Sequence, residues 1–304
     1  MGFSKIRGVY TMKNSKILPI LAATLGNVFW GLSFLFITEA LKYAPSALML
    51  AHRFLIAVVV VGIYLLIRGK KITFKGKDWK SLVLMMILQV AYYVFETLSL
   101  RYSSTIIAGL VCATVPVVTI FTGAAFLKEI PTRRQALLCL LPVAGVILMT
   151  VYGNELGALK PLGILLLVLA CLSSAFYRTA ARKSAQYFDP WERTFLILAT
   201  STLFFCISGM NEVGWNIGEF LAPFANGQYI LSVLFLSLLC SVAANALVNY
   251  AVGKMEVMKL ASFGAISTLC TMVAGVLILH EPVNPGLLIG AVLILVGIHR
   301  LTAK

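Results

Sequence analysis

Two charged residues stand inside long apolar runs, where charge is expensive. Arg53 lies about eight residues into the second run of the chain, and Glu96 about five residues from the far end of the third. A charge at the centre of a membrane helix costs about 2.5–3.5 kcal/mol on insertion scales, so residues kept there are functional candidates. If both runs cross a bilayer, the two side chains reach similar depth, and an Arg53–Glu96 ion pair is geometrically open. Such a pair can act as a gate or hold a carboxylate. Equally, it can be a structural pair that lets both charges stay buried. Glu96 is also the carboxylate lying well inside a run, so any proton uptake within the apolar layer would fall to it.

Uncharged polar residues are more numerous. Asn27 and Gln89 fall near mid-run, and Thr114, Asn245, Asn249 and Thr268 share this setting with the aromatics Trp30, Tyr92, Tyr93 and Tyr177. Together they are the candidate lining of a cavity, against the plain alternative of interhelical hydrogen bonds and packing. Tyr92 and Tyr93 are consecutive, so at most one of them is expected to point inward. Glu39 and His52 lie nearer a run's end and are expected to be solvated. Pro116 removes a backbone hydrogen bond in mid-run and marks a kink, a hinge candidate. Glu129 and Glu281 close their runs and read as structural helix ends. The six cysteines all lie in apolar runs without Cys-x-x-Cys spacing and read as small hydrophobes. His52, His280 and His299 lack ligand spacing, so neither a metal nor a cofactor is expected.

The elements that must position these residues are set by composition. The chain is 60% hydrophobic and only 12% charged, against about 25% charged in a soluble domain. A helix crossing the hydrocarbon needs roughly 20 apolar residues. Ten runs qualify: about 17–38, 46–67, 81–100, 104–127, 135–152, 161–180, 194–210, 229–251, 257–279 and 286–301. The expected fold is an all-α integral membrane protein of ten transmembrane helices. The net charge of +14 would suggest nucleic acid in a soluble protein. Here the basic residues sit between apolar runs and set topology, so no nucleic-acid partner is expected. With ten spans, 21 of the 25 Lys and Arg fall on one side, Arg178, Arg182 and Arg193 among them. The positive-inside rule then puts both termini in the cytoplasm of a multi-pass cell-membrane protein.

The two halves of the chain echo each other. Gly123 and Gly275, Leu127 and Leu279, Glu129 and Glu281, and Gly145 and Gly297 each stand 152 positions apart, half of the 304-residue chain. Such self-similarity signals internal repeats. The repeats are placed at 17–152 and 161–301, joined by a turn-rich linker at 153–160. Five helices per repeat is an odd number, so the second copy must enter the membrane from the opposite face. The loop after Glu129 accordingly carries Arg133 and Arg134, while the loop after Glu281 has no Lys or Arg. Two inverted five-helix repeats are a hallmark of secondary transporters, which bind substrate near the midplane between repeats.

At this point the chain resembles the EamA-type branch of the drug/metabolite transporter superfamily. The matching residues are Asn27–Gly31 with its Phe-Trp-Gly, Arg53-Phe54, Thr114-Val-Pro116-Val, and Phe126-Leu127-Lys128-Glu129. The second half offers Ile278-Leu279-His280-Glu281-Pro282, where His280 replaces the family's glycine, while Thr268 stands where a proline is usual. The resemblance spans residues 18–301. It implies ten helices, cytoplasmic termini, two repeats and a central cavity open to one side at a time. Substrates across such families include amino acids, other metabolites, nucleotide sugars and cationic drugs. The expected function is therefore secondary active transport of a small metabolite, an amino acid or related compound, in the export direction and by alternating access. A multidrug or cation exporter of the same superfamily is the alternative, and a membrane-embedded enzyme a remoter one. The partners would be the small-molecule substrate, the lipid bilayer and protons as a candidate coupling ion, with the chain a monomer or homodimer.

Overall fold

Among the residues described by the computed structural model, which are 3–70, 72–99, 102, 115–153, 161–278 and 285–302, every regular element is a helix. The first half contributes α1 (Phe3–Ala40), α2 (Ser46–Ile67), α3 (Trp79–Ser99), α4 (Val115–Thr122) and α5 (Arg133–Gly153). The second half contributes α6 (Pro161–Ser184), α7 (Pro190–Glu212), the short α8 (Ile217–Leu221), α9 (Gly227–Phe235), α10 (Ala244–Lys254), α11 (Val257–Ser262), α12 (Gly264–Ile278) and α13 (Pro285–Thr302). Among the described residues six spans are long and apolar enough to cross a membrane: Ile17–Ile37, Ser46–Ile67, Trp79–Glu96, Pro161–Ser184, Pro190–Glu212 and Gly227–Lys254.

The side chains are sorted as a bilayer requires. Large apolar residues such as Leu66, Ile67, Phe121, Leu137, Leu203 and Leu277 are exposed on the outside of the bundle, while Asn27, Arg53, Arg193, Ser241, Asn245 and Asn249 are buried within it. Lipid tails solvate Leu and Phe as well as a protein core does, so polar groups and close packing are left to hold helices together.

Several boundaries differ from those expected, each for a local reason. The seventh helix starts at Pro190 rather than 194, because Asp189 caps it. The Asp189 carboxylate accepts from the backbone N–H of Trp191 (2.8 Å) and Glu192 (2.9 Å), and the Glu192 carboxylate accepts from Asp189 N–H at 2.9 Å. With Pro190 in the first turn, this is a full capping box. It draws Arg193 into the helix and into the core, where it is 1% exposed, and not into a loop. The sixth helix runs on to Ser184, carrying Arg182 and Lys183 in its last turn, where cations favour the negative helix end. The Gly227–Lys254 span is continuous but passes through a wider, π-type segment at Leu236–Ala243. A second such segment, Gly123–Leu127, follows α4 and ends at Lys128 in the left-handed region (φ 56°). The ninth run breaks between α11 and α12.

The helices pair in a regular way. α2 packs on α7, α5 on α13, α1 on α10 and α12, and α6 on α3 and α4. Close backbone approach makes some of these pairings possible. A Cβ at Gly297 would lie 2.4 Å from Pro142 Cδ, and one at Gly145 would lie 2.6 Å from the Gly290 carbonyl oxygen and 2.8 Å from Ile294. A Cβ at Gly31 would lie 2.5 Å from the Ser267 carbonyl oxygen, so α1 sits directly on α12. Small residues at such crossings let backbones meet.

One end of the bundle carries the α2–α3 and α6–α7 loops, and three ion pairs join them. Lys70 meets Asp189, Lys77 meets Glu192 at 3.6 Å, and Lys183 meets Asp78 at 3.2 Å. We call this the basic end. Burial pushes the Asp189 carboxyl up, but the Lys70 hydrogen bond and charge and the two capping N–H groups outweigh it and hold the group below its ordinary value. The same bond raises Lys70.

Candidate functional site

A cavity of about 380 Å³ lies in the middle of the bundle, within the range of small-molecule sites. Three helices each supply four wall residues at helical spacing. On α3 these are Gln89, Tyr92, Tyr93 and Glu96; on α6, Ser174, Tyr177, Arg178 and Ala181; on α10, Asn245, Val248, Asn249 and Val252. Each set follows the i, i+3, i+4, i+7 pattern of one helix face. α1 adds Asn27, Trp30, Ser33 and Ile37, α2 adds Arg53, α5 adds Pro142 and Val143, and α11 and α12 close one side with Leu260, Ala261, Gly264 and Ser267.

Both Tyr92 and Tyr93 face the cavity, contrary to the expectation that only one would. The reason is geometric: a face spaced 3, 4 and 7 is wide enough to hold two consecutive residues. Tyr92 donates its hydroxyl to Glu96 Oε1 at 2.6 Å. Tyr93 packs edge-on against Tyr92 and Phe54.

Arg53 and Glu96 share the cavity wall, yet among the described residues no ion pair joins them. Arg53 Nε donates instead to Ser241 Oγ at 2.7 Å, and its guanidinium lies 5.6 Å from the Phe54 ring centre. Glu96 is held by Tyr92. A direct Arg53–Glu96 pair is thus replaced by two separate polar contacts on the same wall.

The π-type segment at Leu236–Ala243 explains the seat of Trp30. Widening the helix turn frees carbonyls that an α-helix would use. Cys240 O accepts from Trp30 Nε1 at 3.0 Å and more weakly from Asn245 Nδ2 at 3.4 Å. Asn27 and Asn245 are otherwise satisfied within their own helices, by Ala23 O (2.7 Å) and Ser241 O (2.8 Å). Each amide thus gives at least one N–H to backbone.

Toward the basic end the walls are pinned by arginines. Arg193 donates to Ala181 O at 3.1 Å and to the backbone oxygen of Asn249, while Asn249 Nδ2 donates to Thr194 Oγ1 at 3.0 Å. This ties α6, α7 and α10 into one corner. Glu129, expected only as a helix end, does more. Its Oε1 accepts from Arg182 Nε at 3.0 Å, its Oε2 accepts from Val257 N–H at 2.9 Å, and Arg182 also donates to Val252 O at 3.0 Å. His52, expected to be solvated, is buried at the opposite end of α2, with Nδ1 2.7 Å from the Tyr229 hydroxyl and Phe220 and Phe224 against its ring.

Some expected positions lie outside the described residues: Thr114, Glu281, and the stretch before Val115 in which a kink at Pro116 would fall. The side chains of Pro116 and Thr268 are likewise outside the description. Arg178 lines the cavity although its charge groups it with the topology-setting residues; it stands one residue from Tyr177 and four from Ser174, the spacing of one helix face.

Comparison with known proteins adds a family. The EamA-like transporter family matches the chain twice, over residues 17–151 and 161–302. The uncharacterized transporter YcxC of Bacillus subtilis is 34% identical over 291 residues, covering 94% of this chain and 93% of its own. The uncharacterized inner membrane transporter YedA of Escherichia coli is 27% identical over 168 residues, 54% of each chain. A solved crystal structure superposes with a TM-score of 0.73 at 18% identity, covering 95% of this chain and 98% of its own, a likeness of fold.

Proposed function

The chain belongs to the EamA-like transporter family, and we propose that this multi-pass membrane protein is a secondary carrier that moves a small metabolite through the central cavity by alternating access. The observation that carries the reading is the helix pairing around that cavity. Exchange each helix for its counterpart in the other half and the pairings reproduce themselves: α1 on α10 becomes α6 on α3, α1 on α12 becomes α6 on α4, and α2–α7 and α5–α13 return to themselves. The Gly297–Pro142 and Gly145–Ile294 contacts exchange in the same way, since both pairs of positions differ by 152. This supports two inverted repeats, 17–152 and 161–301, within ten spans. Repeats of that kind can rock against each other about a fixed midplane site.

In this reading the basic end is cytoplasmic by the positive-inside rule, and the Glu129–Arg182–Val257 contacts are the inner gate. The first half supplies Glu129 and the second half its partners, so the cavity opens inward only when they part. The cargo is an amino acid or related metabolite, moved outward. Asn27, Trp30, Gln89, Tyr92, Tyr93, Glu96, Thr114, Tyr177, Asn245, Asn249 and Thr268 are its proposed contacts, and Pro116 is a proposed hinge. Proton coupling, where present, runs through Glu96.

The test is an untargeted comparison of metabolites in the medium. Cells making the wild type are set against cells making the Trp30→Ala, Glu96→Gln double variant at matched surface level. A compound enriched outside the wild-type cells names the cargo and the direction. Depletion from the medium by the wild type alone would reverse the direction, and identical media across hosts would contradict the carrier reading.

A further inference from the structure

The charges in the cavity wall do not balance. Arg53 and Arg178 both line it, against the single carboxylate of Glu96 among the described residues. The two arginines differ in what holds them. Arg53 is engaged by Ser241 and by the Phe54 ring. Arg178 Nε is shielded from solvent without a hydrogen-bond partner, and among the described residues no ion pair reaches its guanidinium. Glu96 does not fill that role, since it accepts from Tyr92 and among the described residues forms no ion pair.

A guanidinium does not lose its proton in a protein. Within the apolar layer an unpaired one is costly and marks a functional position. Arg178 shares its helix face with Ser174 and Tyr177, and Trp30, Tyr92 and Tyr93 complete an aromatic surround. The site thus offers one open cationic fork beside a set of aromatic faces. A guanidinium fork matches a carboxylate with two parallel hydrogen bonds.

We infer that Arg178 is the anion-binding residue of this cavity and that the cargo carries a carboxylate, paired with Arg178, on an apolar or aromatic body that lies among Trp30, Tyr92, Tyr93 and Tyr177. This rests on the carrier reading and narrows it. A purely cationic cargo would bring more positive charge to a wall that already holds two arginines, with Glu96 alone to offset it.

The experiment compares two probes with the same body and opposite charge, 3-phenylpropionate and 3-phenylpropylamine, at millimolar concentration. Binding to the purified full-length protein is read by thermal shift and by tryptophan fluorescence, in wild type, Arg178→Lys and Arg178→Gln. The carboxylate is expected to stabilise the wild type and the amine not. Arg178→Gln is expected to weaken the carboxylate at least about tenfold, the loss of one charged hydrogen-bonding partner. Arg178→Lys, which keeps the charge and loses the fork, falls between. If Arg178→Gln does not fold, the probe pair on wild type and the Arg178→Lys variant decide alone. Tighter binding of the amine, no binding of the carboxylate, or undiminished binding in the variants overturns the assignment. Binding is read without transport, so failure of the carrier reading is separable. Carboxylate binding through Arg178 with no counterflow of any bound compound would overturn the carrier reading alone. Counterflow of the amine with the carboxylate inert would overturn the Arg178 assignment alone.

Discussion

Glu129 holds Arg182 at 3.0 Å with one carboxylate oxygen and the backbone N–H of Val257 at 2.9 Å with the other. One side chain of the first half therefore ties together α6 and the start of α11 in the second. Lys128 makes this possible by taking the left-handed conformation (φ 56°) at the end of the π-type segment, which turns Glu129 back over the bundle.

The clasp should behave as a coupled unit. Removing either partner leaves a half-buried charge, so Glu129→Gln and Arg182→Met are each expected to lower stability by about 1–3 kcal/mol. The double variant should lose less than the sum, with a coupling of about 0.5–3 kcal/mol. Thermal unfolding of the four proteins in detergent measures this, and strict additivity would deny the contact its energy.

At the α5–α13 crossing, Gly297 has no room for a side chain. Gly297→Ala places a carbon only 2.4 Å from Pro142 Cδ and is expected to cost about 1–3 kcal/mol through overpacking. Pro142→Ala in the same chain should recover part of that loss. Gly145→Ala should cost as much or more, because its nearest neighbour is the rigid Gly290 carbonyl.

Trp30 should show the value of the freed carbonyl. Trp30→Phe keeps the ring and removes the bond to Cys240 O, leaving a buried acceptor short of its main donor, a loss of about 1–3 kcal/mol. The melting temperature should fall without a change in surface expression sufficient to abolish folding.

Acid should weaken the basic end through Asp189. Its carboxyl is held below the ordinary value in the folded protein. Its contribution is therefore complete at neutral pH and is lost as pH falls through the usual carboxylate range and below. Asp189→Asn keeps a capping side chain and loses the Lys70 charge pair, a small change of about 0–1 kcal/mol at neutral pH. Asp189→Ala also loses the cap, about 1 kcal/mol more. Both should flatten the acid limb of a stability–pH profile relative to the wild type.

Much of this molecule was legible from spacing alone. Gln89, Tyr92, Tyr93 and Glu96 lie on one helix face whatever surrounds them, and Asn245 and Asn249 repeat the pattern on α10. The error over Tyr92 and Tyr93 came from reading consecutive residues as opposed, although a wall of this width accommodates both. Arg178 and Arg193 were missed because basic residues near a run's end were assigned to loops. The signal against that was present: Asp189, Pro190 and Glu192 spell a capping box that begins the helix before Arg193, and Arg178 shares the face of Tyr177. The π-type segments had no comparable signature. Nothing in Leu236–Ala243 announces a wider turn, and the Trp30–Cys240 bond depends on it. Among the described residues Arg53 and Glu96 form no direct ion pair, because equal depth does not decide between such a pair and the Ser241 and Tyr92 hydroxyls that bond them.

The central claim is that the cavity is a carrier's binding site. The measurement that tests it most directly is counterflow in proteoliposomes, using the compound named by the metabolite comparison. Vesicles preloaded with unlabelled compound should transiently accumulate the labelled form above its equilibrium level, saturably, and the Trp30→Ala, Glu96→Gln variant should not. Flux that is linear in concentration and indifferent to preloading would contradict alternating access, and flux unchanged in the variant would contradict the cavity as the site.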